Sequence, residues 1–181
     1  IKKELFSLNA FNEKNKIEHV INRILSNQNA ALISDAGTPL ISDPGVRLVS
    51  ACIDNGIEII PIPGAVACIA ALSMSGLPTD AFVFEGFLPQ KKGRQTKLKE
   101  LAEENRTIIL YESMYRIEKL LKELSEYLPE RFVVVCREIT KKFEETWRGF
   151  PKDLVKSFPD KISKGEFVVV IAPKDWKVKE H

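Results

Sequence analysis

The sequence predicts an α/β fold in two lobes, with parallel strands early in the chain and some antiparallel strands late. Short apolar runs alternate with segments of helical periodicity through the first part of the 181 residues, which is the order of βα units in a parallel sheet. The end of the chain is richer in strand-like runs. A turn at 76–80 (GLPTD) is the predicted boundary between an N-terminal α/β lobe at 1–78 and a C-terminal α/β lobe with a mixed sheet at 79–181.

Two apolar runs in the first lobe, 30–34 and 57–62, have the length and composition of buried parallel strands. A helix is predicted before them at 13–28, because apolar side chains recur there at i, i+3, i+4 and i+7. Asn12 is its predicted N-cap.

A second helix is predicted to follow the first strand. Asp43 serves as its N-cap in this prediction, Pro44 takes the first helical position, and Gly56 stops the helix. The segment 65–75 predicts a third helix that is almost wholly apolar, so it belongs to a core or an interface.

The second lobe is predicted to contain five strands and three helices. The strands lie at 81–85, 106–111, 132–136, 142–149 and 166–171, and the helices end near 104, 128 and 158. Ser113 is the predicted N-cap of the helix over 114–128, which carries a regular apolar stripe.

Loops rich in glycine and proline follow three of the predicted strands, at 35–45, 61–65 and 85–89. Glycine and proline let the main chain come close to a ligand, and ligands of open α/β sheets bind at the carboxyl ends of strands. The alternative is that these are ordinary connecting turns. Because strand ends converge on one rim of a sheet, the three loops together predict a small-molecule site.

Several other functions are disfavoured by the residues present. No glycine-rich dinucleotide fingerprint and no phosphate-binding P-loop occurs. A Ser-His-Asp hydrolase is disfavoured, because His19 lies in an ordinary helical pattern and His181 is the last residue. Cys52, Cys68 and Cys136 lie far apart in apolar runs, which predicts free buried thiols and no metal site. No apolar stretch long enough to span a bilayer and no signal peptide is visible, so we expect a cytoplasmic location.

A basic run occupies 90–99, with five lysine or arginine residues in ten positions. Such a run is either a solvated helix start or a grip on phosphate groups. Lys91, Lys92 and Arg94 are the candidates for such a grip, in a mobile loop, and Arg148 extends that surface. The net charge of +2 does not by itself indicate a polyanionic partner.

Seven motifs occur in one order along the chain. They are 35–45 (DAGTPLISDPG), 61–64 (PIPG), 76–78 (GLP), 85–89 (EGFLP), 111–113 (YES), 137–141 (REITK) and 164–166 (KGE). Together they resemble the ribosomal RNA small-subunit methyltransferase I family, within the tetrapyrrole-methylase-like superfamily. The resemblance runs from about residue 5 to about residue 172.

The resemblance implies a two-lobed tetrapyrrole-methylase-like fold with S-adenosylmethionine in the cleft between lobes. It also implies 2′-O-methylation of a cytidine ribose in small-subunit ribosomal RNA, and a homodimer. With that substrate, the basic residues Lys91, Lys92, Arg94 and Arg148 are the predicted RNA contacts. Matched position by position, the implied cofactor-binding residues are Asp35, Gly37, Thr38, Pro39, Ile41, Val66, Ala67, Tyr111, Glu112, Cys136 and Arg137. A general base would assist a hydroxyl nucleophile. Glu112, Glu138 and Asp35 are the candidates, and the sequence does not choose among them.

One part of the family pattern is missing. Family members carry an N-terminal segment with a first strand, a Pro/Gly loop and an acidic-Thr-Arg motif, whereas this sequence begins at Ile1. We therefore expect a fragment with the parallel-sheet lobe truncated at its start and a strand edge exposed. A tetrapyrrole C-methyltransferase of the same fold and a non-catalytic binding fragment are the alternative functions.

Overall fold

The structure is a computed structural model, which describes residues 4–9, 13–26, 28–159 and 164–178. The chain divides into two compact units, Ile1–Val66 and Ala67–His181. The placement of a domain boundary at residue 78 stays a prediction.

The first unit contains two helices that pack on each other, α1 (Glu13–Leu25) and α2 (Val46–Asp54). Helix α2 starts later than predicted, because its N-cap is Gly45 rather than Asp43. Gly45 has a φ of 129°, and a Cβ added there would lie 2.7 Å from Leu32 Cδ2, so only glycine fits. Gly56 follows the end of α2 with a φ of 68°, as its predicted role as a helix stop requires. Asn12, the predicted N-cap of α1, lies outside the described residues.

The two strands predicted in the first unit are not formed in its described residues. A strand exists only where a neighbouring chain segment accepts and donates its ladder hydrogen bonds. Residues 28–44 and 58–66 donate no backbone-to-backbone hydrogen bond in the described part of the chain. Apolar side chains in these segments are exposed, including Ile33, Ile60 and Ile62.

The second unit contains the five strands and three helices predicted for the second lobe, together with α3, which was predicted in the first lobe; most of these elements have ends shifted by a few residues. They are α3 (Ala67–Ser75), β1 (Phe82–Phe87), α4 (Arg94–Glu103), β2 (Thr107–Ser113), α5 (Ile117–Tyr127), β3 (Val133–Arg137), β4 (Glu145–Gly149), α6 (Pro151–Ser157) and β5 (Glu166–Ile171). Ser113 belongs to β2, and the N-cap of α5 is Arg116, so the predicted Ser113 cap is wrong.

The five strands form one mixed sheet in the order β1-β2-β5-β3-β4. Strands β1 and β2 are parallel, and β5 runs antiparallel to both β2 and β3, its neighbours. Strands β1, β2 and β3 therefore point the same way. We call the side where they end the carboxyl edge; its residues are Phe87, Ser113 and Arg137.

Each face of the sheet is covered by helices. Apolar side chains of α4, α5 and α6 form the main core with one face of β2, β3 and β5, to which Leu110, Val135 and Val169 contribute. Helix α3 contacts β2 and β5 and buries Cys68 and Leu72. The second unit is thus an α/β fold with a mixed sheet between helical layers.

Candidate functional site

The loop at 35–45 has an unusual main chain. Gly37, Leu40, Ser42 and Gly45 all have positive φ, at 70°, 73°, 65° and 129°. Leu40 and Ser42 are not glycine, and each such residue costs of order 1–3 kcal/mol. Strain of this kind persists only where surrounding contacts fix it, and it is concentrated at ligand sites. The strained main chain therefore favours the loop at 35–45 as a candidate ligand-binding site.

A side-chain hydrogen bond holds this loop to the segment 61–66 within the first unit. The Thr38 hydroxyl donates to the Ala65 carbonyl oxygen at 3.0 Å. A Cβ added to Gly37 would lie 3.5 Å from that same oxygen. Two of the three loops predicted to converge are thus in contact, while Asp35 and Gly37 stay exposed.

At the carboxyl edge of the second unit, the strand register brings several predicted residues together. Phe87 pairs with Tyr111, and Arg137 pairs with Phe167. The Cys68 backbone N–H, in the first turn of α3, donates to the Tyr111 hydroxyl oxygen at 3.1 Å. The start of α3, where Ala67 lies, and Tyr111 are therefore neighbours. The N-terminus of a helix carries partial positive charge and accommodates anionic groups.

Glu112 lies on the opposite face of the sheet from Tyr111, because successive side chains of a strand alternate. Its carboxylate is fully buried. Its Oε1 accepts from Arg116 Nε at 2.8 Å and from the Ser113 backbone N–H at 2.7 Å. Its Oε2 lies 3.9 Å from Arg94 Nη2 and has no hydrogen-bond partner among the described residues. Only the main chain of Glu112 is available on the Tyr111 face, which disfavours it as a general base there.

Cys136, Arg137 and Glu138 follow one another through the end of β3. Burial raises the pKa of the Cys136 thiol, so this side chain stays protonated and out of reach of a ligand. Arg137 donates to the Lys164 carbonyl oxygen and pairs with Glu145. Hydrogen bonding from the Lys141 ammonium group, 3.0 Å away, lowers the pKa of Glu138. That pairing makes Glu138 a weaker base.

The predicted RNA-contacting residues divide into two environments. Lys91 and Lys92 are exposed in the loop before α4, as expected. Arg94 is not part of an exposed loop: its side chain is 4% exposed, and its Nη2 lies 2.6 Å from Glu123 Oε2. It also donates to the Pro89 carbonyl oxygen. Arg148 is exposed and donates to the Met74 carbonyl oxygen at 2.7 Å. Arg94 is thus the first residue of α4 and is held by the partly exposed Glu123 carboxylate, and its contact with RNA stays a prediction.

The sequence did not single out Phe84 or Arg116, which contact predicted residues. The Phe84 ring packs edge-on against the Tyr111 ring at 4.9 Å, and the Arg116 guanidinium lies 5.7 Å from the Phe87 ring. The signal for this cluster is Gly86, because a glycine inside a strand pattern indicates a bulge.

The described residues contain no cluster of three or more His, Cys, Asp or Glu side chains arranged to hold a metal ion. Cys52, Cys68 and Cys136 are free and buried, as predicted. In the part of the chain that the structure describes, no helix is long and apolar enough to cross a bilayer.

Comparison with known proteins identifies the family. The family described as Tetrapyrrole (Corrin/Porphyrin) Methylases matches residues 2–155. Ribosomal RNA small subunit methyltransferase I of Synechocystis sp. is 49% identical over 163 residues, covering 89% of this chain and 58% of that protein. The protein of the same name from Thermotoga maritima is 40% identical over 97% of this chain and 79% of its own length.

A solved structure supports the fold. The uroporphyrin-III C-methyltransferase of Thermus thermophilus, complexed with S-adenosylhomocysteine, has a TM-score of 0.58 and 15% identity over 88% of this chain and 73% of that one. The chain spans about three fifths of the length of the Synechocystis relative, 58%. It belongs to the tetrapyrrole methylase family and, within it, to the ribosomal RNA small subunit methyltransferase I family.

Proposed function

We propose that this chain is part of an S-adenosylmethionine-dependent enzyme that methylates the 2′-hydroxyl of a cytidine ribose in small-subunit ribosomal RNA. The observation that carries the proposal is 40–49% identity to proteins named for ribosomal RNA methylation, over nearly the whole chain. The alternative, a tetrapyrrole C-methyltransferase, has the support of the matching family's description and of structural likenesses at 15–20% identity, well below the identity to the ribosomal RNA methyltransferases. We further propose action in the cytoplasm, as a homodimer.

Two groups of residues are proposed to bind the cofactor. In the first unit they are the loop residues Asp35, Gly37, Thr38, Pro39 and Ile41, with Val66. In the second unit they are Ala67 and Tyr111, with main-chain contributions from Glu112, Cys136 and Arg137. Each group has its own support. In the first unit, the exposed main chain at Gly37, whose φ is 70°, lets a ligand approach closely. In the second unit, the N–H groups at the start of α3 suit a carboxylate.

S-adenosylmethionine, when bound, supplies an electrophilic methyl group on a sulfonium. The chain must then hold the ribose 2′-hydroxyl in line with that methyl group and exclude water, and such positioning can contribute on the order of 7–11 kcal/mol. Of the three candidate bases, Glu112 is buried between arginines and Glu138 is paired with Lys141. Asp35 is the exposed carboxylate of the three, so we propose it as the proton acceptor to test first.

Methyl transfer from labelled cofactor to small ribosomal subunits tests the proposal directly. We expect label in the ribosomal RNA, at a cytidine whose ribose resists alkaline cleavage. Label transferred to a uroporphyrinogen instead would favour the tetrapyrrole alternative. Absence of transfer together with absence of S-adenosylmethionine binding in calorimetry would favour a non-catalytic fragment.

A further inference from the structure

A bulge in β1 turns Phe87 onto the face of the sheet that carries Tyr111. Phe84 pairs with Ile109, but Gly86 pairs with Leu110, so the register shifts by one residue between them. In an unbroken strand, residues 84 and 87 would point to opposite faces. Because of the shift, both phenylalanine rings contact the Tyr111 ring, at 4.9 Å and 5.8 Å. Bulges of this kind re-aim side chains beside functional sites.

The skipped residue, Glu85, supports this reading of the bulge. Its carboxylate lies 2.8 Å from Lys97 Nζ, on α4. Glu85 thus faces the helical layer opposite Tyr111. Gly86 has a φ of 62°, a conformation that a residue with a side chain rarely adopts. The glycine at position 86 therefore permits the bulge that places Phe87 beside Tyr111.

Phe87 is held in place and still half-exposed. Its ring packs against the Tyr111 ring, and the Tyr111 hydroxyl accepts a hydrogen bond from the first turn of α3. Phe87 nevertheless remains 50% exposed. The Arg116 guanidinium lies 5.7 Å from the centre of its ring. Arg116 is itself fixed by the buried Glu112 carboxylate at 2.8 Å. The result is a rigid aromatic surface with a fixed cation next to it.

The surrounding charge indicates which ligand this surface takes. Lys91 and Lys92 are exposed in the loop that follows Phe87. Proteins bind unpaired RNA bases by stacking them on aromatic rings and arginine planes, while lysines contact the phosphates alongside. We propose that Phe87 is the stacking platform for one unpaired base of the RNA substrate, with Arg116 beside it. This inference rests on the proposed RNA substrate and names the residue that positions it.

The test uses the full chain and a short unstructured RNA carrying a single 2-aminopurine, moved along the sequence. Stacking quenches 2-aminopurine fluorescence, so the wild-type protein should quench it at one position. Phe87→Leu keeps the apolar volume and removes the ring. We expect it to abolish this quenching and to weaken RNA binding about tenfold, with S-adenosylmethionine binding unchanged. Phe87→Tyr should retain both quenching and affinity.

Phe82→Leu is the matched control. Phe82 is at the other end of β1, roughly 16 Å along the strand, and is also partly exposed, at 36%. We expect it to leave RNA binding unchanged. The proposal is overturned by a wild-type protein that quenches at no position, by an unchanged RNA affinity in Phe87→Leu, or by a variant that loses cofactor binding instead. If the wild-type protein transfers no methyl group to ribosomal RNA but still quenches 2-aminopurine at one position, the proposed function is refuted and this inference stands.

Discussion

One buried side chain, Arg131, donates hydrogen bonds to carbonyl oxygens at the end of α4 and just after β5. Its guanidinium donates to the carbonyl oxygens of Leu101, Ala102, Glu104 and Ala172, at 2.6–3.3 Å. Three of these acceptors end α4, where the last carbonyl groups have no partner within the helix. Burial lowers the pKa of Arg131, but the charge is retained because carbonyl dipoles surround it.

Arg131→Met should lower the free energy of unfolding by about 3 kcal/mol, because it leaves buried carbonyl oxygens without their hydrogen-bond donor. Urea unfolding followed by circular dichroism measures this change. Lys99→Met is the control, since the Lys99 side chain is exposed on α4. We expect no measurable shift in its midpoint. Equal midpoints for the two variants would show that the Arg131 hydrogen bonds do not stabilise the fold.

Glu104 gives the protein a defined pH dependence. The guanidinium of Arg106 lowers the pKa of the Glu104 carboxyl from its ordinary 4.5 to about 2. Because the pKa is lower in the folded state, this stabilisation is present above pH 4.5 and is lost as the pH falls towards 2. Wild-type protein should therefore unfold at higher urea than Glu104→Gln at pH 6, and the gap should narrow below pH 4.5 and close towards pH 2. A gap that is constant with pH would contradict this assignment.

At the scale of elements, Arg94 joins α4 to α5. The Arg94 side chain is 4% exposed and doubly hydrogen-bonded to Glu123, whose side chain is 17% exposed, and Glu112 lies close to it. Removing Arg94 costs about 1–3 kcal/mol, since Glu123 and the buried Glu112 each lose one cationic neighbour and keep another, Lys119 and Arg116 respectively. Arg94→Met should therefore destabilise the protein by that amount in urea unfolding while leaving RNA affinity unchanged at temperatures where it is folded. If Arg94→Met has normal stability but binds RNA weakly, Arg94 contacts RNA and does not mainly join the two helices.

The exposed lysines of the same loop should behave in the opposite way. Replacing Lys91 and Lys92 with Gln removes no buried contact, so stability should be unchanged. If both lysines contact RNA phosphates, the slope of log affinity against log salt should fall by about 1.4. Binding titrations at several salt concentrations measure the slope. An unchanged slope would remove both residues from the RNA interface.

The sequence predicts where a strand-like run lies, but not whether another segment of the chain pairs with it. The strand at 166–171 was predicted with its observed bounds, because an apolar run between turn signals is typical of a central strand. The run at 57–62 looks the same in sequence, yet it forms no strand in the described residues. The two runs differ in their neighbours, because β5 lies between β2 and β3 and pairs with both. The composition of a run does not tell which other segment will pair with it.

The candidate site was predicted by motif and corrected by geometry. The motif at 111–113 names Tyr111 and Glu112 together, but strand alternation sends their side chains to opposite faces. Arg94 looked like its lysine neighbours, because charge patterns do not reveal a distant partner such as Glu123. Phe87 was not selected, since its orientation depends on a bulge whose position the sequence marks only by Gly86.

At the scale of the whole molecule, stability is unevenly distributed between the units. Most of the buried apolar side chains of the described residues belong to 67–181, where the sheet lies. In 58–66, by contrast, no described residue donates a backbone-to-backbone hydrogen bond. Amide hydrogens that lack such bonds exchange with solvent without any unfolding event.

Hydrogen exchange followed by mass spectrometry should therefore separate two similar sequences. Peptides covering 166–171 (EFVVVI) should exchange slowest, and peptides covering 57–62 (IEIIPI) should exchange fast. The unfolded chain in denaturant supplies the reference rate for each. Equal protection of the two peptides would mean that 57–62 is paired in solution.

Cofactor should change this pattern in a way that connects stability to function. A ligand that binds only the folded state suppresses local opening of the residues it contacts. If the loop residues Gly37 and Thr38 hold S-adenosylmethionine, saturating cofactor should slow exchange across 35–45 and at the start of α3. Gly37→Val should remove that protection, because a branched side chain at a φ of 70° is strained and narrows the loop beside Ala65. Protection confined to other segments would place the cofactor elsewhere on the chain.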